Sequence, residues 1–264
     1  LMPLNLNPGQ LKHYHAVVEA MKRSELSRPV ATIIADNLPP LSSSSVKLLL
    51  IRHGEAGHNL FLTKNPDKDE FHPECPSDPQ LTNTGVGQAM DSCPRTCNPG
   101  FLPPTMALVS PLQRAIQTAL LSFPHLAPGS NNAIPFVAND LLSEECNGSF
   151  CDLLSPAADL RTVFFGVNFD EYERNCDFKA TNAQRSASLE ESKEKVLARG
   201  EGFLDYLRKM PRDPAKPPII AVASHSQWLQ AFCVGNLDFV NRDEGDAWFA
   251  TGEMRAVNVE LGQQ

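Results

Sequence analysis

Long apolar runs are missing from this chain of 264 residues. No stretch reaches the roughly 18 apolar residues that a membrane-spanning helix needs, so no such helix is predicted. The first thirty residues also lack a long apolar segment, and no secretory signal is visible there. Positive charge is scarce, since 23 Lys and Arg stand against 31 Asp and Glu, for a net charge of −8. This balance argues against nucleic acid or an anionic membrane as a partner, and an anionic ligand would need a local positive pocket.

Clustered cysteine ligands are lacking as well. The seven cysteines are an odd number scattered along the chain, which favours reduced thiols and a cytoplasmic location over a disulfide framework. Cys93 lies close in sequence to Cys97, and Cys146 lies close to Cys151. Neither pair has a second pair of ligands that would close a zinc tetrahedron. We therefore expect no metal site and no cofactor.

Short apolar runs rich in branched residues predict strands that are buried on both faces. The short runs lie at 46–51, 106–109, 135–138 and 219–223, and a longer closing strand is predicted at 248–261. Residues at 10–24 and 188–209 have helical spacing, and an interruption of the second helix is expected near Gly200 and Gly202. Thr82 predicts a helix N-cap, and Pro94 is expected to end that helix. The alternation predicts an α/β fold, a three-layer α/β/α sandwich with a mostly parallel central sheet.

Composition along the chain predicts its organisation. Residues 1–45 contain a short helix and a Pro- and Ser-rich stretch, so we expect an N-terminal arm that packs on the domain or is partly mobile. Residues 46–264 form the predicted domain. Within it, residues 146–185 combine aromatic and cationic side chains without a clear period, which predicts an irregular insertion that acts as a substrate lid.

Polar and cationic side chains follow three of the predicted strands. They are Arg52 and His53 after the first, Ser110 and Arg114 after the second, and Ser224 and His225 after the last. Since the carboxyl ends of parallel strands meet at one sheet edge, two guanidiniums and two imidazoles are expected to converge there. Guanidinium forks match phosphate oxygens, so the sequence predicts a phosphoryl pocket. Ser110 is also expected to cap the following helix. Taken alone, Arg114 is typical of a surface ion pair, and the recurrence at three strands favours the pocket.

The motifs at these positions resemble the histidine phosphatase superfamily, which is also called the phosphoglycerate-mutase-like family. The matching motifs are Arg52-His53-Gly54-Glu55, Asn59, Leu81-Thr82-x2-Gly85, Ser110-Pro111-Leu112-x-Arg114-x2-Gln117-Thr118, Glu144 and Ser224-His225. They occur in the family's order over residues 46–260. More narrowly, the motifs that resemble a eukaryotic, phosphatase-like branch are His58-Asn59, Leu142-x-Glu144 with Cys151-Asp152, and Glu253-x-Arg255. The resemblance implies a phosphoglycerate-mutase-like fold and no metal or other cofactor.

The resemblance also implies catalytic roles. His53 would be the nucleophile that takes the phosphoryl group onto a ring nitrogen. Glu144 would protonate the leaving oxygen and later activate water. The adjacent Glu145 is the alternative acid, although the spacing to Gly148 favours Glu144. His58 lies in the position before Asn59 and is not the nucleophile in the family pattern.

The remaining site residues are implied to bind phosphate. Arg52, Arg114 and His225 would hold the phosphoryl oxygens and stabilise charge as the bond to the leaving oxygen breaks. Asn59 and Ser110 would line the pocket. A zinc site on the two histidines is disfavoured, since the neighbouring guanidiniums would oppose a metal dication.

Two departures from the mutase pattern indicate the type of reaction. Glu145 and Gln230 stand where mutases of the family carry arginine, which would weaken recognition of a phosphoglycerate carboxylate. We therefore predict a phosphatase acting on a small phosphorylated metabolite with an apolar or ring-bearing body. The alternatives are a phosphomutase and a catalytically weak binding or regulatory member of the family. The sequence does not specify an oligomeric state.

Overall fold

The structure is a computed structural model that describes residues 6–23, 28–145, 148–186, 191–211 and 218–262. The predictions that involve Cys146 and the start of the helix expected from residue 188 lie outside the described residues.

One mixed sheet of eight strands organises the described residues. The strands are β1 (Val30–Ile33), β2 (Ser45–Arg52), β3 (Met106–Val109), β4 (Phe136–Ala138), β5 (Val167–Asn168), β6 (Ile219–Ser224), β7 (Asp238–Phe239) and β8 (Met254–Glu260). Their order across the sheet is β5-β4-β3-β6-β2-β8-β1-β7. Within the described ranges, β8 alone runs antiparallel to its neighbours. The predicted mostly parallel central sheet is confirmed.

Helices cover both faces of this sheet. They are α1 (Pro8–Arg23), α2 (Gly57–Lys64), α3 (Asn83–Met90), α4 (Cys93–Thr96), α5 (Gln113–Ser122), α6 (Ala157–Val163), α7 (Asp170–Asn175), α8 (Phe178–Ser186), α9 (Lys193–Lys209), α10 (Ser226–Ala231) and α11 (Arg242–Gly245). Along β2, Leu48 and Leu50 enter one apolar cluster while Leu49 and Ile51 enter the other. This alternation explains the continuous apolar run, because both faces of the strand are covered. In the part of the chain that is described, no helix is long and apolar enough to cross a membrane.

Helix ends near the sheet edge differ in part from the prediction. The Thr82 hydroxyl accepts a hydrogen bond from the Gly85 amide at 3.1 Å, so the predicted cap of α3 is confirmed. The predicted stop at Pro94 is wrong: α3 ends at Met90, and Pro94 lies in the first turn of α4, where no amide is required. The predicted capping of α5 by Ser110 is also wrong, since the N-cap residue is Leu112.

Helix α9 is continuous from Lys193 to Lys209, so the predicted interruption is wrong. Gly200 is buried in this helix, and a Cβ atom there would overlap the side chain of Asn236. The glycine therefore allows α9 to pack closely against the π-helical turn Phe232–Asn236, and it does not break the helix. The closing strand is shorter than predicted and begins at Met254, because the chain turns directly before it. The Glu253 amide donates to the Ala250 carbonyl, and Gly252 has a φ of 75°.

The segment predicted as irregular, 146–185, contains regular structure where it is described. It holds α6, α7, α8 and β5, and β5 pairs with β4 to extend the sheet. Its aromatic residues Phe164, Phe169 and Tyr172 are buried in one of the two apolar clusters. The prediction of an irregular segment is wrong because these aromatics complete the core. The assignment of a lid function stays a prediction.

The described part of residues 1–45 contributes to the same layers as the rest of the chain. Val17 and Ala20 of α1 are fully buried, and β1 pairs with both β7 and β8. The domain boundary at residue 45 stays a prediction.

A close backbone approach near the strand edge yields a stability prediction. A Cβ atom on Gly85 would overlap the Glu55 carbonyl oxygen, whereas a Cβ atom on Gly87 meets nothing within 4 Å. Gly85→Ala is expected to lower the free energy of unfolding by about 1 to 3 kcal/mol through overpacking. Gly87→Ala, in the same helix, is the matched control and should raise it by up to about 1 kcal/mol through helix propensity. Urea unfolding measures both, and equal effects would contradict the packing argument.

Candidate active site

The register of the sheet brings three strand ends to one edge. Arg52 of β2 lies opposite Ser224 of β6, and Val109 of β3 lies opposite Ala223. The backbone continues this alignment beyond the strands, since the His53 amide donates to the Ser224 carbonyl at 3.0 Å. The predicted convergence of the three strand ends is confirmed.

His53 lies at the centre of this edge and is 2% exposed. Its Nδ1 lies 2.7 Å from the Gly54 carbonyl oxygen. Because a carbonyl can only accept, this contact assigns the ring proton to Nδ1 and leaves a lone pair on Nε2. The Arg114 Nε donates to that Nε2 at 3.3 Å. Burial, followed by the charges of Arg114 and Arg52, lowers the pKa of His53 well below its usual value, so the ring is neutral.

Arg114 is buried rather than exposed, so it is not a surface ion-pair partner. In addition to His53, its guanidinium donates to the Cys151 carbonyl at 2.8 Å and to the Asp152 carboxylate at 2.6 Å. The side chains of Arg114 and Asp152 are 1% and 7% exposed. These contacts hold the guanidinium rigidly beside the His53 ring.

Arg52 is anchored through one nitrogen. Its Nη1 donates to the Phe249 carbonyl at 2.7 Å, and its Nε is buried without a hydrogen-bond partner among the described residues. A buried donor in this state is suited to an anion, because the charged group gains a hydrogen bond that the fold does not supply.

His225 completes the ring of nitrogen groups. It is fully buried, and its ring centroid lies 5.1 Å from that of His53. Its Nε2 lies 2.8 Å from the Ser110 hydroxyl, so Ser110 orients this imidazole. The cluster therefore contains two imidazoles and two guanidiniums at the carboxyl ends of parallel strands, where anionic ligands of α/β proteins bind.

Glu144 lies against the start of α10, the helix that directly follows His225 in the chain. Its carboxylate accepts from the backbone amide of Trp228 at 2.9 Å, and it is 6% exposed. Burial, reinforced by the charge of Asp152, raises the pKa of Glu144 to about 7, although the Trp228 amide and Arg114 oppose the shift. The group can therefore exist in either protonation state near neutral pH, as an acid-base catalyst requires.

The adjacent Glu145 has a different environment. Its carboxylate forms an ion pair with Lys193 and lies 3.5 Å from the Nδ1 of His13. Both partners lie on helices that flank the sheet, and burial lowers the pKa of Lys193 to about 8. Of the two carboxylates that the sequence leaves open, Glu144 therefore remains the candidate acid.

Asn59 caps a helix, and the assignment that it lines the pocket stays a prediction. Its side-chain oxygen accepts from the Ala56 amide at 2.9 Å, which caps the start of α2. In the part of the chain that is described, no group of three or more His, Cys, Asp or Glu side chains is arranged to hold a metal ion.

A family model matches most of the chain. The model of the histidine phosphatase superfamily (branch 1) matches residues 48–243. The chain belongs to the histidine phosphatase superfamily. The resemblance predicted from the strand-end motifs is therefore confirmed, and His53, Arg114 and His225 of this superfamily member lie inside the matched range.

Individual proteins resemble this histidine phosphatase superfamily member over most of its length. A probable phosphatase of Schizosaccharomyces pombe is 28% identical over 189 residues, which cover 70% of this chain and 76% of the relative. The structure of a putative alpha-ribazole-5'-P phosphatase from Escherichia coli is 20% identical with a TM-score of 0.49, and the match covers 80% of this chain and 89% of the other. A phosphoglycerate mutase from Bacillus anthracis is 16% identical with a TM-score of 0.45, covering 71% and 78%.

Two residues of this superfamily member lie at the site without having been assigned a role from the sequence. Asp152 contacts Arg114, and the His58 ring lies 5.8 Å from the His53 ring. His58 follows His53 by only a few residues, and this short separation along the chain is the signal that could have placed it at the site. Asp152 belongs to the Cys151-Asp152 motif, but its pairing with Arg114 spans 38 residues, so the sequence does not reveal that contact.

Proposed function

We propose that this superfamily member is a phosphatase that hydrolyses a small phosphate monoester through a phosphohistidine on His53, without a metal. The observation that carries the proposal is the neutral His53 ring, whose Nε2 faces the Arg114 Nε at 3.3 Å and whose neighbour His225 lies 5.1 Å away between ring centroids. Guanidiniums and imidazole supply the positive charge that a phosphoryl group requires, so a metal ion is not needed for that purpose.

The proposed reaction has two steps. In the first, the Nε2 lone pair of His53 attacks phosphorus, the bond from phosphorus to the ester oxygen breaks, and protonated Glu144 gives its proton to that oxygen. In the second, the Glu144 carboxylate takes a proton from water, whose oxygen attacks phosphorus, and the bond to His53 breaks to release phosphate. Arg52, Arg114 and His225 hold the phosphoryl oxygens in both steps, where charge must be stabilised.

A mutase is the alternative, and the surroundings of two residues disfavour it. Glu145 is paired with Lys193, and Gln230 is 1% exposed inside α10. Neither position offers a guanidinium to the carboxylate of a phosphoglycerate. The other alternative, a binding or regulatory member, is disfavoured because the chain retains a candidate nucleophile, candidate phosphate ligands and a candidate acid.

The substrate, the partners and the location of the protein are further parts of the proposal. We propose a small-molecule phosphate ester with an apolar or ring-bearing body as the substrate, selected in part by the lid at 146–185, and no nucleic-acid or membrane partner. We also propose a cytoplasmic location, which fits the free thiols of the six described cysteines.

The test is hydrolysis of p-nitrophenyl phosphate in the presence of a chelator, combined with alkaline quenching to trap the phosphoenzyme. Phosphate release that persists with chelator, and an acid-labile, base-stable phosphoryl group on His53, are expected. Activity that disappears with chelator would indicate a metallophosphatase. Rapid interconversion of 2- and 3-phosphoglycerate would establish the mutase instead.

Asp152→Asn is expected to move the high-pH limb of the activity profile to lower pH. The Asp152 charge is, after burial, the second cause of the raised pKa of Glu144, so the neutral amide should allow Glu144 to lose its proton at lower pH. The asparagine also weakens the contact with buried Arg114, which should cost about 1 to 3 kcal/mol of unfolding free energy. Asp159→Asn, on the exposed surface of α6, is the control and should change neither quantity. An unchanged pH profile in Asp152→Asn would contradict the prediction.

A further inference from the structure

A third imidazole lies beside the nucleophile. His58 is the second residue of α2, and its ring centroid lies 5.8 Å from that of His53 with an angle of 60° between the ring planes. Its Nδ1 atom is buried and has no hydrogen-bond partner among the described residues. Buried polar atoms in folded proteins are nearly always paired, and those that are not often serve a function.

The position of His58 is not explained by the stability of α2. This helix has no fully buried residue, so the ring is not a core anchor. The first turn is already capped, since the Asn59 side chain accepts from the Ala56 amide at 2.9 Å. Neither the packing of the helix nor its cap therefore requires an imidazole at this position.

The charges around His58 favour an anionic ligand. Burial, followed by the charges of Arg114 and Arg52, lowers the pKa of His58 well below its usual value. The ring is consequently neutral and keeps one N–H to donate, without adding a third positive charge to the free pocket. A phosphoryl group held by the same two arginines would bring its oxygens to this face of the pocket.

We propose that His58 is a further phosphate ligand of this enzyme, and that its Nδ1 donates a hydrogen bond to a phosphoryl oxygen. The inference rests on the proposed function, because it assumes that phosphate binds between His53 and Arg114. It adds a donor from α2 to those from the strand ends.

Isothermal titration with inorganic phosphate tests this proposal independently of turnover. His58→Ala is expected to raise the Kd for phosphate roughly tenfold or more, as is usual for one hydrogen bond to a charged group. His58→Asn should restore part of the affinity, because its amide nitrogen can occupy the position of Nδ1. His58→Gln, whose amide lies one bond further out, should not. His15→Ala, on the exposed side of α1, is the matched control and should bind like the wild type.

The outcomes separate this inference from the proposed function. If wild-type protein binds phosphate and His58→Ala and His58→Asn both bind it equally well, with unchanged melting temperatures, the inference is wrong while the function stands. If affinity falls in His58→Ala and recovers in His58→Asn, but wild type forms no phosphoenzyme, the binding role stands and the proposed function fails. Absence of phosphate binding by wild type contradicts both.

Discussion

His53→Ala is expected to lower kcat/KM for p-nitrophenyl phosphate by about four orders of magnitude or more, the scale seen when a covalent nucleophile is removed. The physical reason is that alanine has no lone pair to accept the phosphoryl group, while the guanidiniums that bind it remain. Steady-state hydrolysis at neutral pH measures the effect. Samples quenched in alkali should show a phosphoryl group on wild-type protein and none on His53→Ala.

Two controls distinguish lost chemistry from lost structure. His125→Ala replaces a histidine that makes an exposed contact with Cys97, the C-cap residue of α4, and should retain full activity. Phosphate titration of His53→Ala should still give binding, because Arg52 and Arg114 keep their anchors. A His53→Ala protein that folds, binds phosphate and hydrolyses the ester at the wild-type rate would refute the phosphohistidine mechanism.

Glu144→Gln is expected to lower kcat by about two to four orders of magnitude for an alkyl phosphate, the usual contribution of general acid-base catalysis. The effect should be smaller for p-nitrophenyl phosphate, whose leaving group needs little protonation. Glutamine preserves the shape of the side chain but cannot transfer the proton. Glu173→Gln, on the exposed surface of α7, is the control and should leave kcat unchanged.

The pH dependence gives a second readout for the same variant. Since burial raises the pKa of Glu144 to about 7, the acid is protonated below that pH and lost above it. Wild-type kcat for an alkyl phosphate should therefore fall as the pH rises through about 7, and this limb should be absent from Glu144→Gln. Ionising a buried acid also destabilises the fold, so wild type should lose stability relative to Glu144→Gln as the pH rises from 4.5, the ordinary pKa of a glutamate, towards 7. An identical limb in Glu144→Gln would assign the titration to another group.

Local patterns in the sequence predicted the centre of the fold well. The apolar run that ends in Arg52 and His53 indicates a strand buried on both faces, and polar strand ends of this kind meet at one edge in any parallel sheet. The convergence of His53, Arg114 and His225 followed from that rule together with the family motifs. The Thr82 cap was equally local, because one hydroxyl and one amide three residues later define it.

Features that depend on distant packing were not predictable in the same way. The aromatics of residues 146–185 gave no period because their burial is set by β5 joining the sheet edge. Glycine disfavours a helix interior, so Gly200 suggests a helix break. Only the contact with Asn236 explains why α9 continues through this position. The assignment of Glu144 rather than Glu145 as the candidate acid likewise depends on Lys193 and the start of α10, which the sequence around the two carboxylates does not reveal.

The position of β2 in the sheet has a consequence for how the protein is made. Both neighbours of this strand, β6 and β8, come from the last part of the described chain. During synthesis on the ribosome, an apolar strand therefore waits unpaired until the distal segments emerge, and pairing between such distant segments is slow to form. A product truncated before Met254 would leave β2 with a bare edge, which is a template for aggregation. Correct folding of the nascent chain therefore depends on the synthesis of β8.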